Sequence, residues 1–146
     1  GFAAQVRAIL DITTDARRHS IAPRRIALVA HDSRKSHLRA WVLRHAKALA
    51  RHRLICTGGT GAMVSETLPD LRVRRLQRGS RGGDQQLGAL IATGELDAVV
   101  FFADPNDTQG SNVDLQALTR LAVMHDVPIA LSPSAADMMS TALLSK

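Results

Sequence analysis

The chain has 146 residues, 45% of them apolar, with one cysteine and a formal net charge of +6. That is the size of one domain with a hydrophobic core, and too apolar a composition for a disordered chain. Cys56 alone excludes an internal disulfide and a cysteine-rich metal site, and no apolar run nears the roughly 18 residues of a membrane span.

Residues 3–19 read as an amphipathic helix with Phe2, Val6, Ile9 and Leu10 near one face, and Ile21 to Pro23 breaks it. The start lacks the basic-then-apolar order of a secretory signal, and the single cysteine makes a reducing cytoplasm the expected compartment. Next, 25-RIALVAH-31 is a nearly continuous apolar strand, the pattern of a strand buried on both faces. Ser33 is the expected N-cap of a helix to about Ala50, with Leu38, Trp41, Val42, His45 and Leu49 at helical spacing. Residues 53-RLICT-57 form a second strand, followed by a glycine-rich turn and a short helix ending at Leu68-Pro69. Residues 72-RVRRLQ-77 read as a third strand, polar enough for an edge. A helix over 83–93 stops at Gly94, and 97-DAVVFFAD-104 is the clearest strand. After the polar stretch DPNDTQGSNV come a helix over 114–125, the strand 127-VPIAL-131 and a final helix capped by Ser134.

Buried strands alternating with helices predict an α/β fold: one three-layer domain over 23–146, with a mostly parallel, doubly wound sheet. Residues 1–22 are a helical extension before it. In such sheets ligands sit beyond the carboxyl ends of the strands. Four polar clusters fall there: His31-Asp32, Thr57 to Gly61, Gly79 to Asp84, and Asp104.

Each cluster has two readings. Thr57-Gly58-Gly59-Thr60-Gly61 is either a tight turn or an anion cradle, in which glycines let N–H groups of a helix start approach phosphate. Lys35 lies in the first turn of a helix, where a cation opposes the dipole, so an anion nearby would offset it. Asp84 is either a favourable first-turn acid or a base. Asp104 either forms a turn or belongs to a site, and His31 either bonds a core carbonyl or faces a ligand. No zinc spacing or serine nucleophile elbow is visible.

Charge is unevenly spread. Residues 1–81 hold 17 of the 19 Lys and Arg but five of the 13 Asp and Glu. This half is either a solvated basic surface or an attractor of small anions. Nucleic acid is disfavoured, because aromatics make up 3% and tyrosine is absent, which leaves no stacking platform.

The segments IALVAHDSRKSHLRAWVLRHAKAL, TGGTG, GGDQQLGALIATGELDAVVFFADP, DLQALTRLAV and VPIAL resemble the methylglyoxal synthase family, a resemblance that covers roughly residues 24–137. The resemblance implies a homo-oligomer, typically a hexamer, that needs no metal or cofactor. It implies conversion of dihydroxyacetone phosphate to methylglyoxal and inorganic phosphate. By the same resemblance Asp84 is the base, with Asp114, Asp32 and Asp104 as further catalytic candidates. His31, Lys35, Thr57, Gly58, Gly59, Thr60, Arg78 and Gly79 would hold the substrate and its phosphate. Carboxylates crowded together would raise one another's pKa, which suits a base near neutral pH.

Four departures stand out. Gly59 replaces the second threonine of the family's TGTTG pattern, Arg78 replaces a serine, and Arg81 adds a base in the same loop. Ser111 falls where the family has a catalytic histidine, and there is no histidine between His52 and His125. Losing a comparable electrophilic donor costs about 2.7–4 kcal/mol of transition-state stabilisation. The alternative reading is therefore a catalytically weak or inactive module of the same fold that binds phosphate or a sugar phosphate.

Overall fold

Five strands in the order β3-β2-β1-β4-β5, every neighbouring pair parallel, form the centre of the computed structural model, which describes residues 1–6, 22–107 and 113–144. β1 (Arg25–Ala30) leads through a 3-10 turn (Asp32–Arg34) into α1 (Lys35–Arg44) and α2 (Ala46–Leu49). β2 (Arg53–Cys56) leads into α3 (Gly58–Thr67), and β3 (Val73–Arg75) into a second 3-10 turn (Gly79–Arg81) and α4 (Gly83–Ala92). β4 (Ala98–Phe102), α5 (Leu115–Met124), β5 (Ile129–Ala130) and α6 (Pro133–Leu143) complete the order. The sheet is fully parallel, and β3 is at the edge its arginines suggested. Of the expected helix over 3–19, only residues 3–6 are described; residues 2–6 are helical, with Phe2 and Val6 exposed.

Alternation along the strands splits the core in two. Ile26, Leu28, Leu54, Val100 and Phe102 face Leu38, Trp41 and Val42 of α1, Val64 of α3 and Ala136 of α6. Ala27, Val29, Ile55, Val99 and Phe101 face Leu87, Leu90 and Ile91 of α4 and Leu118 of α5. Hence the continuous apolar runs: both faces of β1 and β4 are covered. Strand order reverses between β1 and β4, and their carboxyl ends, at His31 and Asp104, mark the crevice where ligands bind in such sheets. Among the described residues no helix is long and apolar enough to cross a membrane.

Three local expectations need correcting. Ser33 caps nothing: the chain enters α1 through the 3-10 turn, Arg34 is the cap residue, and the Ser33 hydroxyl donates to Asp104 at 2.7 Å. The helix expected to Ala50 breaks at His45, whose Nε2 lies 2.8 Å from Asp137 Oδ1 on α6 and whose ring lies over Trp41. The final helix is capped by Ser132 rather than Ser134, with Pro133 at its first turn.

Two acid-sensitive features follow. His52 is buried, and its Nδ1 accepts from Arg24 N–H at 3.0 Å. Burial pushes the His52 imidazole below its ordinary 6.5. The hydrogen bond from His45, with help from Arg44, holds the Asp137 carboxyl below 3.8. For both groups the unfolded chain binds a proton that the folded chain resists, so stability falls as pH falls. The His52 contribution is present above pH 6.5 and is lost below it, and that of Asp137 is lost below 3.8. Urea midpoints measured against pH should decline in these two steps. His52→Asn, which keeps an acceptor for Arg24, should flatten the first.

Candidate active site

The first turn of α3 stands at the carboxyl end of β2, so the TGGTG stretch is the helix start itself rather than a loop before it. Thr57 is its cap residue and makes no side-chain cap bond. The Gly58 N–H donates to Gln77 O at 3.1 Å and the Gly61 N–H to Thr57 O at 2.8 Å. Gly58 therefore offers no free donor to an anion, contrary to expectation. Gly59 and Thr60 lie between these two, and the side chain that should cap their N–H groups does not. Thr60 is 1% exposed, yet among the described residues its Oγ1 has no hydrogen-bond partner. A buried hydroxyl left in that state costs about 1–3 kcal/mol. A cavity of ≈ 220 Å³ opens over the turn, lined by Asp32, Lys35, Thr57, Gly59, Thr60, Arg78 and Gly79, with Ala30, Ser80 and Val113.

Three glycines in this turn each lie beneath a cationic side chain. A Cβ at Gly58 would stand 2.8 Å from Arg78 Cγ, one at Gly59 2.7 Å from Lys35 Nζ, and one at Gly61 2.6 Å from Arg75 Cγ. The Lys35 ammonium thus fills the space that a threonine side chain at position 59 would need. The Gly59 departure trades a hydroxyl for a closer positive charge. The anion that offsets Lys35 at its helix start is supplied by the chain: Asp32 Oδ1 lies 2.8 Å from Nζ. Arg75, not anticipated from sequence, also donates to Gly58 O at 3.3 Å. Only the register of Cys56 with Arg75 reveals it.

The other candidates lie beside this cavity without lining it. Asp84 is half-buried in the first turn of α4; its Oδ1 accepts from Gln85 N–H at 3.0 Å and its Oδ2 from Asp114 N–H at 3.4 Å. Asp114 caps α5, its Oδ1 accepting from Ala117 N–H at 3.1 Å. Val113, which lines the cavity, joins this pair to it.

His31 is 4% exposed; Nδ1 accepts from Asp104 N–H and Nε2 donates to Val113 O, both at 2.8 Å. These partners assign the Nε2–H tautomer and occupy both nitrogens. His31 therefore clamps the segment after β4 to the end of β1, as a core histidine does, rather than facing the cavity. Asp104 accepts from the Ser33 hydroxyl and from Asn106 N–H at 2.9 Å. These bonds hold its carboxyl below the ordinary 3.8, the opposite of the rise expected from crowded carboxylates. Ser111 lies outside the described residues. Among the described residues no group of three His, Cys, Asp or Glu side chains could hold a metal ion.

Comparison with known proteins points to one family. The family model for the MGS-like domain matches residues 39–131. Methylglyoxal synthase of Agrobacterium fabrum is 48% identical over 112 residues, covering 77% of this chain and 88% of the relative. Methylglyoxal synthase of Brucella abortus is 41% identical over 119 residues, covering 82% and 95%. The crystal structure of methylglyoxal synthase from Elizabethkingia anophelis superposes with a TM-score of 0.77 at 43% identity, over 85% of this chain and 78% of that one.

Proposed function

Because the chain belongs to the methylglyoxal synthase family, we propose that it converts dihydroxyacetone phosphate to methylglyoxal and inorganic phosphate. The observation that carries the phosphate seat is the buried, unpartnered Thr60 hydroxyl at a helix start, below Lys35 and Arg78. In this reading the phosphoryl oxygens accept from Thr60 Oγ1, from the Gly59 and Thr60 N–H groups and from the two cations. Asp84 removes a proton from the hydroxymethyl carbon beside the ketone, and the electron pair forms the enediolate. Collapse of the enediolate breaks the bond from carbon to the phosphate oxygen. The enol of methylglyoxal leaves and tautomerises. The charges that favour phosphate in the ground state also stabilise it as the leaving group.

Asp84 is fixed for this task by its place in α4 and by the N–H groups it accepts. Asp114 positions the adjoining turn, while Asp32 keeps Lys35 over the seat. Dihydroxyacetone phosphate is the partner, the cytoplasm the compartment and a homo-oligomer the working form, the last testable by light scattering. Incubation with dihydroxyacetone phosphate should release methylglyoxal and phosphate in equal amounts. Neither product above a no-protein blank would overturn the assignment.

A second reading, a phosphate-binding module without turnover, is favoured by two observations. Both nitrogens of His31 are engaged, and the segment with Ser111 has no histidine to polarise the substrate carbonyl. Thr60→Val probes the seat that both readings share. Removing an unpaired buried hydroxyl should leave the ligand-free protein as stable or up to about 1–3 kcal/mol more stable. Phosphate affinity should fall roughly tenfold, the worth of one hydrogen bond to a charged group. Thermal melts with and without phosphate read both signs at once.

A further inference from the structure

A second cavity, of ≈ 540 Å³, opens at the amino-terminal end of the sheet, and Arg25, Arg53, Arg72 and Arg74 line it with Leu54, Ile55 and Val73. It is remote from the seat described above, which lies at the carboxyl ends of the same strands. Strand register explains why the arginines converge. Arg25 of β1 is directly opposite Arg53 of β2, and Ile55 of β2 is opposite Arg74 of β3. Leu54 is opposite Val73, so Arg72 falls beside Arg53. Register partners share a face, and alternation puts all four arginines on the Ile55 face.

Three of these arginines, Arg25, Arg53 and Arg72, form a row across neighbouring strands, about 4.8 Å apart at the backbone. Like charges directly opposite one another on adjacent strands destabilise a sheet. Arg25 is partly compensated: its Nη2 donates to Gly94 O at 3.2 Å and its Nε lies 3.9 Å from Asp97 Oδ2. Among the described residues Arg53, Arg72 and Arg74 form no salt bridge. The row is therefore an electrostatic cost that a bound anion would relieve.

We propose that this groove binds a linear oligophosphate, a chain of two or more phosphoryl groups, independently of the reaction at the other end of the sheet. Each guanidinium presents a planar fork of donors that fits phosphoryl oxygens two at a time. A row of such forks matches successive phosphoryl groups, whereas orthophosphate engages only part of it. The lining has no aromatic side chain on which a nucleobase would stack, which favours the phosphate chain itself over a nucleic acid.

The test is isothermal titration of the whole chain with inorganic tripolyphosphate and with orthophosphate. The unmodified chain should prefer tripolyphosphate, with an affinity that falls steeply with salt. Arg53→Gln with Arg72→Gln should weaken tripolyphosphate at least tenfold and leave orthophosphate binding at the seat across the sheet unchanged. Either single variant should also raise the melting temperature of the ligand-free chain at low salt, and the gain should vanish at high salt. Undiminished tripolyphosphate binding in the double variant would overturn the proposal. So would displacement of tripolyphosphate by a much tighter-binding single-stranded oligonucleotide, which would make the groove a nucleic-acid surface. If orthophosphate gave no response while the arginine variants still lost tripolyphosphate, the phosphate-seat reading would fail and this one would stand.

Discussion

Asp84→Asn should lower turnover of dihydroxyacetone phosphate by about 10²–10⁴-fold, the usual worth of a positioned general base, while phosphate affinity stays as it was. The substitution removes the basic oxygen and little else. The amide oxygen can still accept from Gln85 N–H, which is the shorter of the two contacts. The loss of negative charge in the first turn of α4 should cost only about 0.3–1 kcal/mol. Single-turnover kinetics and phosphate-dependent melting separate the two effects. A parallel loss of phosphate affinity and rate would make Asp84 a binding group and leave the reaction without its base.

Gly83→Ala should be the most damaging single change in stability, at about 3 kcal/mol, the upper end of the usual cost of overpacking. A Cβ there would collide with the Gln77 carbonyl oxygen, and Arg78 C would be only 3.0 Å away. These are backbone atoms and cannot swing aside. The same Gln77 oxygen accepts from Gly58 N–H at the start of α3. A shift at Gly83 therefore reaches the phosphate seat, and the variant should lose phosphate-induced stabilisation along with roughly 10 °C of melting temperature. Gly88→Ala is the control. Its Cβ would meet only Leu121 Cδ1, the end of a movable side chain, at 2.9 Å. Alanine's helix propensity, worth about 1 kcal/mol over glycine, should offset much of that contact. Equal damage from the two variants would contradict the close approach at Gly83.

The strands were legible because burial on both faces writes an uninterrupted apolar run, as in Ala27 to Ala30 and Ala98 to Phe102. The carboxyl-end rule then pointed to the end of the sheet where the cavity lies, without side-chain detail. What local rules missed depends on long-range contacts. Ser33 looks like a helix cap, but its hydroxyl bonds Asp104, 71 positions away. His45 fits a helical stripe, but it pairs with Asp137 on α6. Ser132 was recoverable, because proline favours the first helical position and so places the cap one residue before Pro133. At the candidate site, residue types pointed to a place for an anion, and geometry sorted which of them share one cavity. Lys35, Thr57, Gly59, Thr60, Arg78 and Gly79 meet at one cavity, whereas His31 and Asp104 brace each other. No pattern in the sequence could separate those roles, because the division rests on which nitrogen of His31 meets which backbone group.

The most direct test of Asp84-initiated elimination at this seat is proton and phosphorus NMR of dihydroxyacetone phosphate incubated with the chain in D₂O. The account predicts that the substrate signals decay as methylglyoxal and phosphate grow in equal amounts, and that Asp84→Asn stops the decay while phosphate still raises its melting temperature. Unchanged substrate with no deuterium in the hydroxymethyl group, in the presence of a native chain that phosphate stabilises, would contradict it and leave a phosphate-binding module.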